Sequence, residues 1–215
     1  MGAILDEKTG QQLEYRDLVK RPEIRERWRE IKGTNTIFFI PKSEIPPDRR
    51  KDITYGRVVV AYKPDKLEQY RSRLTTGGDR INYPFDTSAP TADLPTIKLL
   101  WNSVLSSPGA KYITMDISNF YLGSPMVRPE YLRLPIKLIP DEIIQQYKLK
   151  DIEEDGWVYV KIVGGMYGLP QAGKIANELL VKRLRSAGYH PCQFTPWLWR
   201  HVWRPITFTL VVDDF

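Results

Sequence analysis

The apolar positions of this chain alternate between two periods, and the changes of period mark the predicted elements. Thr36-Ile37-Phe38-Phe39-Ile40 is a short apolar, β-branched run that predicts a strand. Val58 to Tyr62 predicts a second strand, Pro64-Asp65 supplies turn chemistry, and Leu67 to Thr75 returns with Tyr70, Ser72 and Leu74 opposite Gln69, Arg71 and Arg73. The span from Arg57 to Thr76 therefore reads as a β-hairpin with Lys63 and Lys66 near its tip. Arg71 and Arg73 share one face, which can grip phosphates or simply protect a solvated edge. Ile97, Leu100, Trp101, Val104 and Leu105 follow the helical i, i+3, i+4, i+7, i+8 pattern, with Asp93 and Pro95 at the start and Pro108-Gly109 beyond the end. This stripe is expected to be core. Pro140 to Tyr147 predicts a short helix, Trp157 to Val163 a strand, and Lys174 to Ala187 a helix ended by Gly188, with Ile175, Leu179, Leu180 and Leu184 as its buried stripe.

Lys111 to Ile117 predicts a strand with Asp116 at its C-terminal end, after which Asn119 to Gly123 turns away. Two further strands, Trp197 to Trp203 and Ile206 to Val212, are separated by Pro205. The last strand ends in Asp213-Asp214. Read alone, this terminus fits a solvated turn as well as a buried strand end. Near the N-terminus, Pro22 can open a helix with Ile24, Trp28 and Ile31 on one face and Gly33 at its end. The run Asp48-Arg49-Arg50-Lys51-Asp52 reads as a solvated charge cluster.

Composition narrows the class. With 215 residues, 42% hydrophobic and 27% charged, the chain can bury a sizeable core as one large domain or two small ones. A formal charge of +6, from 32 Lys and Arg against 26 Asp and Glu, points to a polyanionic partner. The single Cys192 excludes an internal disulfide and a zinc cluster, and is expected to be an inert buried thiol. His190 and His201 have no ligand spacing. No apolar run reaches the ~20 residues needed to cross a membrane. A reduced intracellular setting is the default expectation.

Asp116 and Asp213 each end an apolar strand, 97 residues apart (213 − 116). If those strands are neighbours, the carboxylates converge as hard oxygen ligands for two Mg²⁺ ions roughly 4 Å apart, the arrangement that supports phosphoryl transfer. The element order suits an α+β fold, a mixed sheet with helices packed on one side. Gly164-Gly165-Met166-Tyr167-Gly168 allows another surface to approach the backbone closely.

Several segments together resemble the reverse transcriptases of retroelements, most closely those of copia-type retrotransposons. They are Arg71-Ser72-Arg73-Leu74, Thr87 to Thr91 with Thr96 to Leu100, Met115 to Leu122, Met166 to Ala172, and Val211-Val212-Asp213-Asp214. They occur in the family's order over roughly residues 55 to 215.

The resemblance implies a right-hand polymerase with an antiparallel or mixed palm sheet. Residues 1–50 would be a lead-in segment, 51–110 a fingers-like region carrying the basic hairpin, and 111–215 a palm with interleaved fingers elements. It implies RNA-directed DNA polymerase activity using two Mg²⁺ ions (or Mn²⁺), deoxynucleoside triphosphates and a primer on an RNA or DNA template. Asp116, Asp213 and Asp214 match the catalytic, metal-holding aspartates. Tyr121 matches the aromatic that excludes a ribose 2′-hydroxyl, Gln171 the glutamine near the nucleotide's sugar and phosphate, and Arg73 the fingers arginine that binds triphosphate. Lys66 is the candidate lysine partner of Arg73.

Val211 stands where the family has Tyr. In the family, a second hairpin strand, a thumb and a ribonuclease H domain follow the aspartate pair. Residues 1–215 are therefore expected to be part of a retrotransposon polyprotein, in a cytoplasmic particle or the nucleus. Alone, they are expected to bind nucleic acid weakly and to show no appreciable primer extension. Two competing readings are a degenerate remnant that binds nucleic acid without catalysis and a metal-dependent nuclease. The nuclease would have no need of Tyr121 or the fingers arginines.

Overall fold

The computed structural model describes residues 4–5, 12–13, 26, 28–29, 31, 33–62, 70–89, 91–195 and 197–211. The protein is mixed α and β. By backbone contacts it divides into two compact units, neither continuous in sequence: residues 1–85 with 121–172, and residues 86–120 with 173–215.

The first unit is built on a five-stranded mixed sheet. Its strands are β3 (Ile37–Ile40), β4 (Thr54–Tyr62), β5 (Tyr70–Thr76), β6 (Pro125–Pro135) and β7 (Trp157–Gly164), in the order β3-β7-β6-β4-β5. A two-residue pair, β1 (Ile4–Leu5) with β2 (Gln12–Leu13), precedes them. Three of the four strand pairings are antiparallel, while β4 pairs parallel with β6 through Thr54↔Leu132 and Tyr55↔Arg133. The predicted hairpin is present as β4 and β5, in register from Gly56↔Thr76 to Tyr62↔Tyr70. The expected strand at 36–40 and the one from Trp157 are also present.

Strand alternation decides what each face buries. Leu132, Leu134, Val158, Val160 and Ile162 turn to one face and join Ile37, Leu74, Leu149, Met166 and Leu169 in the main core. Helix α1 (Leu94–Ser106) belongs to the second unit; the short α2 (Asp141–Gln146) adds Ile143 to this core, with Ile144 and Tyr147 packed against it, as its spacing predicts. Trp28 and Ile31 are buried in the same core. Glu26, Trp28, Arg29, Ile31 and Gly33 are helical, so Gly33 sits on the last turn, not beyond it. Pro22 and Ile24 lie outside the described residues. On the opposite face, Ile40, Ile45, Tyr131 and Tyr159 form a smaller cluster with Ile53.

Strand β6 is the element that periodicity does not reveal. Arg128-Pro129-Glu130 interrupts its alternation, and its register with β7 shifts between Pro125 and Glu130. Glu130 is fully buried there. Arg49 Nη2 donates to its Oε2 at 2.7 Å, Arg128 Nε lies 3.6 Å from Oε1, and Asp52 takes Arg49 Nε at 3.0 Å. The run 48–52 is thus not simply solvated. It forms a 3₁₀ helix, Pro47–Asp52, whose Arg49 and Asp52 side chains are only 16% and 18% exposed: Arg49 pairs with the buried Glu130, and Asp52 with Arg49 and Arg128. Burial pushes the Glu130 carboxyl above its ordinary range, against the opposing pull of the Arg128 and Arg49 guanidiniums.

The second unit contains α1 (Leu94–Ser106), most of α3 (Ala172–Ser186), and a three-stranded antiparallel sheet of β8 (Tyr189–Pro191), β9 (Leu198–His201) and β10 (Thr207–Thr209). Helix α1 begins as predicted: Asp93 caps it by accepting from Thr96 N at 2.9 Å, and Pro95 occupies its first turn. Its apolar stripe is not core. No α1 residue is buried, Ile97, Leu100 and Val104 are half-buried, and Trp101 and Leu105 are 51% and 82% exposed. Periodicity fixes which residues share a helix face, not how much of that face a partner covers. Helix α3 ends before Gly188 (φ +86°), as expected, but Ile175, Leu179, Leu180 and Leu184 are half-buried, and Ala172, Ala176 and Asn177 are its buried residues. The two predicted C-terminal strands are shorter than expected, and β8 was not anticipated. Trp199 is buried and stacks parallel to Phe208 at 6.3 Å. Cys192 is half-buried.

Glu130→Ala should lower stability by about 3–5 kcal/mol in urea denaturation at pH 7, because it strands two guanidiniums and the Gln171 amide. Glu130→Gln tests the titration separately. With the folded pKa above the unfolded value, the carboxyl's contribution is full below the ordinary Glu range and lost as pH rises through the folded pKa. Wild type should therefore lose stability relative to Glu130→Gln as pH rises from the ordinary Glu range through the raised folded pKa.

Candidate functional site

The glycine-rich loop after β7 is the centre of the candidate site in the first unit. Thr76 N, at the end of β5, donates to Tyr167 O at 2.8 Å, joining the basic hairpin to the loop. Gly168 has φ +91°, and a Cβ there would overlap the Thr76 backbone. A Cβ on Gly165 would overlap the Tyr121 carbonyl, and Gly165 N donates to Ser124 O at 2.7 Å. The two glycines let one loop lie against both the hairpin and the 121–124 turn. The close approach expected from this sequence is present, and its partners are Thr76 and Tyr121.

The loop gathers three side chains. The Arg73 guanidinium lies over the Tyr167 ring, 4.9 Å from its centroid. Tyr121 meets the same ring edge-on at 5.0 Å and 87°, and is half-buried against the main core. Arg73 Nε is buried and has no hydrogen-bond partner among the described residues. Desolvated donors are costly unless they meet an acceptor, so Arg73 is primed for an anionic oxygen. Tyr167 was not singled out by sequence reasoning as a site residue; its signal was membership of the Tyr-Gly-Leu run.

Gln171 lies inside the unit, 1% exposed. Its Nε2 donates to Glu130 Oε1 at 3.4 Å and lies 3.9 Å from Met126 Sδ, while Oε1 is buried without a partner among the described residues. Gln171 thus connects the loop to the buried ion cluster, and in this geometry it positions the loop. Glu130, Arg49 and Arg128 were not read from the sequence as part of this site.

Asp116 belongs to the second unit. The expected strand at 111–117 does not form: residues 111–116 are exposed, and Asp116 makes only a single-residue bridge, as does Val211. An apolar run becomes a strand only where another strand pairs with it, and here the segment is anchored instead through Tyr112. Its hydroxyl accepts from Trp101 Nε1 at 2.7 Å, with the rings edge-to-face at 4.9 Å. The turn at Asn119 (φ +55°) and Gly123 (φ +80°) is as expected.

The Asp116 carboxylate is exposed and has no ion pair among the described residues, a hard oxygen donor of the kind Mg²⁺ takes. Asp213, Asp214 and Lys66 lie outside the described residues, so their expected convergence with Asp116 and Arg73 lies outside them as well. Among the described residues no group of three His, Cys, Asp or Glu gathers to hold a metal. Elsewhere in the second unit, Asp86 accepts from Lys174 Nζ at 2.7 Å and from Ser88 N and Oγ. Lys174 first, then Ser88, hold its carboxyl well below the usual range. No helix among the described residues is long and apolar enough to cross a membrane.

No protein-family model, curated protein or solved structure matches the chain.

Gly168→Ala should cost upwards of about 1–2 kcal/mol from the left-handed backbone alone, before any overlap with Thr76. Hydrogen exchange should show faster exchange at Thr76 N, whose acceptor is Tyr167 O. Unchanged protection there would mean that the loop does not hold the hairpin.

Proposed function

We propose that this chain is a region of an RNA-directed DNA polymerase of the copia retrotransposon type, comprising fingers and part of a palm. The observation that carries the reading is the Arg73–Tyr167–Tyr121 stack, which brings together two side chains that the resemblance assigns to the incoming nucleotide. Arg73 binds the triphosphate with a guanidinium already desolvated on one side. Tyr121, fixed edge-on against Tyr167, limits the space beside the sugar and so disfavours a 2′-hydroxyl. Gln171 holds the loop through Glu130. Lys66, which the resemblance pairs with Arg73, adds a second cation. Asp116, Asp213 and Asp214 would hold two Mg²⁺ ions, which would supply Lewis-acid activation of the primer hydroxyl and stabilisation of leaving charge.

A second reading, binding of nucleic acid without catalysis, is favoured by the exposed, unpaired setting of Asp116. Primer extension separates the two. The assay uses the chain joined to the segment that completes its palm, a primed RNA template, Mg²⁺ and deoxynucleotides. Asp116→Asn should abolish extension. Tyr121→Ala should retain measurable deoxynucleotide incorporation and raise relative ribonucleotide incorporation by roughly 10- to 100-fold, the discrimination a shaped pocket makes against an added hydroxyl. Unchanged sugar discrimination would reduce Tyr121 to packing, and binding without extension would favour the non-catalytic reading.

A further inference from the structure

A row of guanidiniums and aromatic rings crosses one face of the five-stranded sheet and is used by nothing described above. Arg133 on β6 is exposed, and its guanidinium lies over the Trp157 ring on β7 at 4.6 Å. Arg133 is in direct register with Tyr55 on the parallel strand β4. Arg57, two residues further along β4 and so on the same face, lies over the Tyr55 ring at 4.6 Å, and Arg80 lies over it at 5.2 Å. The run is thus Trp157, Arg133, Tyr55, then Arg57 and Arg80, alternating ring and cation across three adjacent strands.

The charges in this row are only partly balanced. Among the described residues, none of the three guanidiniums has a carboxylate within ion-pair distance. The nearby Asp79 accepts from the Tyr55 hydroxyl at 2.6 Å and stays anionic, held below the usual carboxylate range first by that hydroxyl and also by Arg80 and Arg57, so one carboxylate lies near the three guanidiniums. Arg57 Nη2 donates to that same hydroxyl at 2.9 Å, which fixes the direction of the guanidinium. A guanidinium held over a ring keeps N–H donors at its edge for another acceptor, in Arg57 those beyond the one given to Tyr55. A planar fork of this kind matches phosphate oxygens, and its flat face can take a nucleobase. Repetition across strands presents several such forks to one extended partner, which a single phosphorylated small molecule would not need.

We propose that the Trp157–Arg133–Tyr55–Arg57–Arg80 row is a binding track for single-stranded nucleic acid, separate from the Arg73–Tyr167–Tyr121 cluster. Phosphates pair with the three guanidiniums, and bases stack on their outer faces and on Trp157. The track needs neither a metal nor catalysis, so it stands whether or not the polymerase reading does.

The test is fluorescence anisotropy of the 215-residue chain with a labelled single-stranded oligouridylate, titrated across salt. It is repeated with an abasic strand of equal charge. The triple variant Arg57→Gln, Arg80→Gln, Arg133→Gln should weaken binding by at least roughly 10-fold and reduce the slope of log affinity against log salt by about 2, the loss expected for three phosphate contacts on a single strand. A charge-matched variant with Lys98, Lys182 and Arg185 each changed to Gln should bind within about 3-fold of wild type. The abasic strand should bind more weakly than oligouridylate, since base stacking is lost. Photocrosslinking of 4-thiouridine strands to the wild-type protein gives a readout that needs no variant, and crosslinks should map to peptides containing Tyr55 or Trp157. The proposal is overturned by equal losses in the two triple variants, by equal affinity for the abasic strand, or by crosslinks confined to other peptides.

Discussion

The candidate site depends on the single backbone bond between Thr76 N and Tyr167 O. Through it the outer edge of the sheet, strand β5, is held against the loop that follows the inner strand β7. The two strands are not neighbours, since β6 and β4 lie between them. Gly168 makes the bond sterically feasible, because any Cβ at that position would overlap the Thr76 backbone. Once the bond is made, the Tyr167 ring is fixed, and Arg73 and Tyr121 pack on it from two different elements. A loop bonded to a rigid sheet places side chains more narrowly than a free loop can.

The buried Glu130 cluster supports the same loop from beneath. A carboxylate at zero exposure is costly, and the structure offsets that cost with Arg49, Arg128 and Gln171, drawn from three separate segments. The arrangement couples the 3₁₀ segment 47–52, strand β6 and the glycine-rich loop. It also explains why Gln171 is buried: its amide satisfies a charge inside the sheet's main face. Positioning of Tyr167 and Arg73 is therefore linked to an ion cluster that touches neither. The opposite face, with its exposed arginines stacked on rings, carries its charge to solvent instead.

The second unit is organised on different terms. Its three-stranded sheet is short, and its order comes from aromatic contacts among Tyr189, Trp199, His201 and Phe208. His201 Nδ1 accepts from both Trp203 N and Arg204 N, closing the hairpin tip between β9 and β10. A helix cap at Asp93 and the Asp86–Lys174 pair fix the starts of α1 and α3. The cap is a local device, whereas the Asp86–Lys174 pair ties together segments 88 residues apart.

Local chemistry is what the sequence by itself determined. Asp93 with Pro95 marked the start of α1, Gly188 the end of α3, and alternation marked the β4–β5 hairpin, because caps, turns and periods act over a few residues. The glycines before Gln171 were legible as a place of close approach for the same reason. Only the tertiary structure decided which surfaces those elements meet. It buried Glu130 in a strand hidden by Arg128-Pro129-Glu130, turned a charge run into partners for that carboxylate, and paired Tyr167 with Arg73 and Tyr121. It also left the stripe of α1 partly exposed and, among the described residues, gave the 111–116 segment no pairing beyond the single-residue bridge at Asp116. Pairing and burial are properties of two surfaces at once, and the second surface is encoded dozens of residues away.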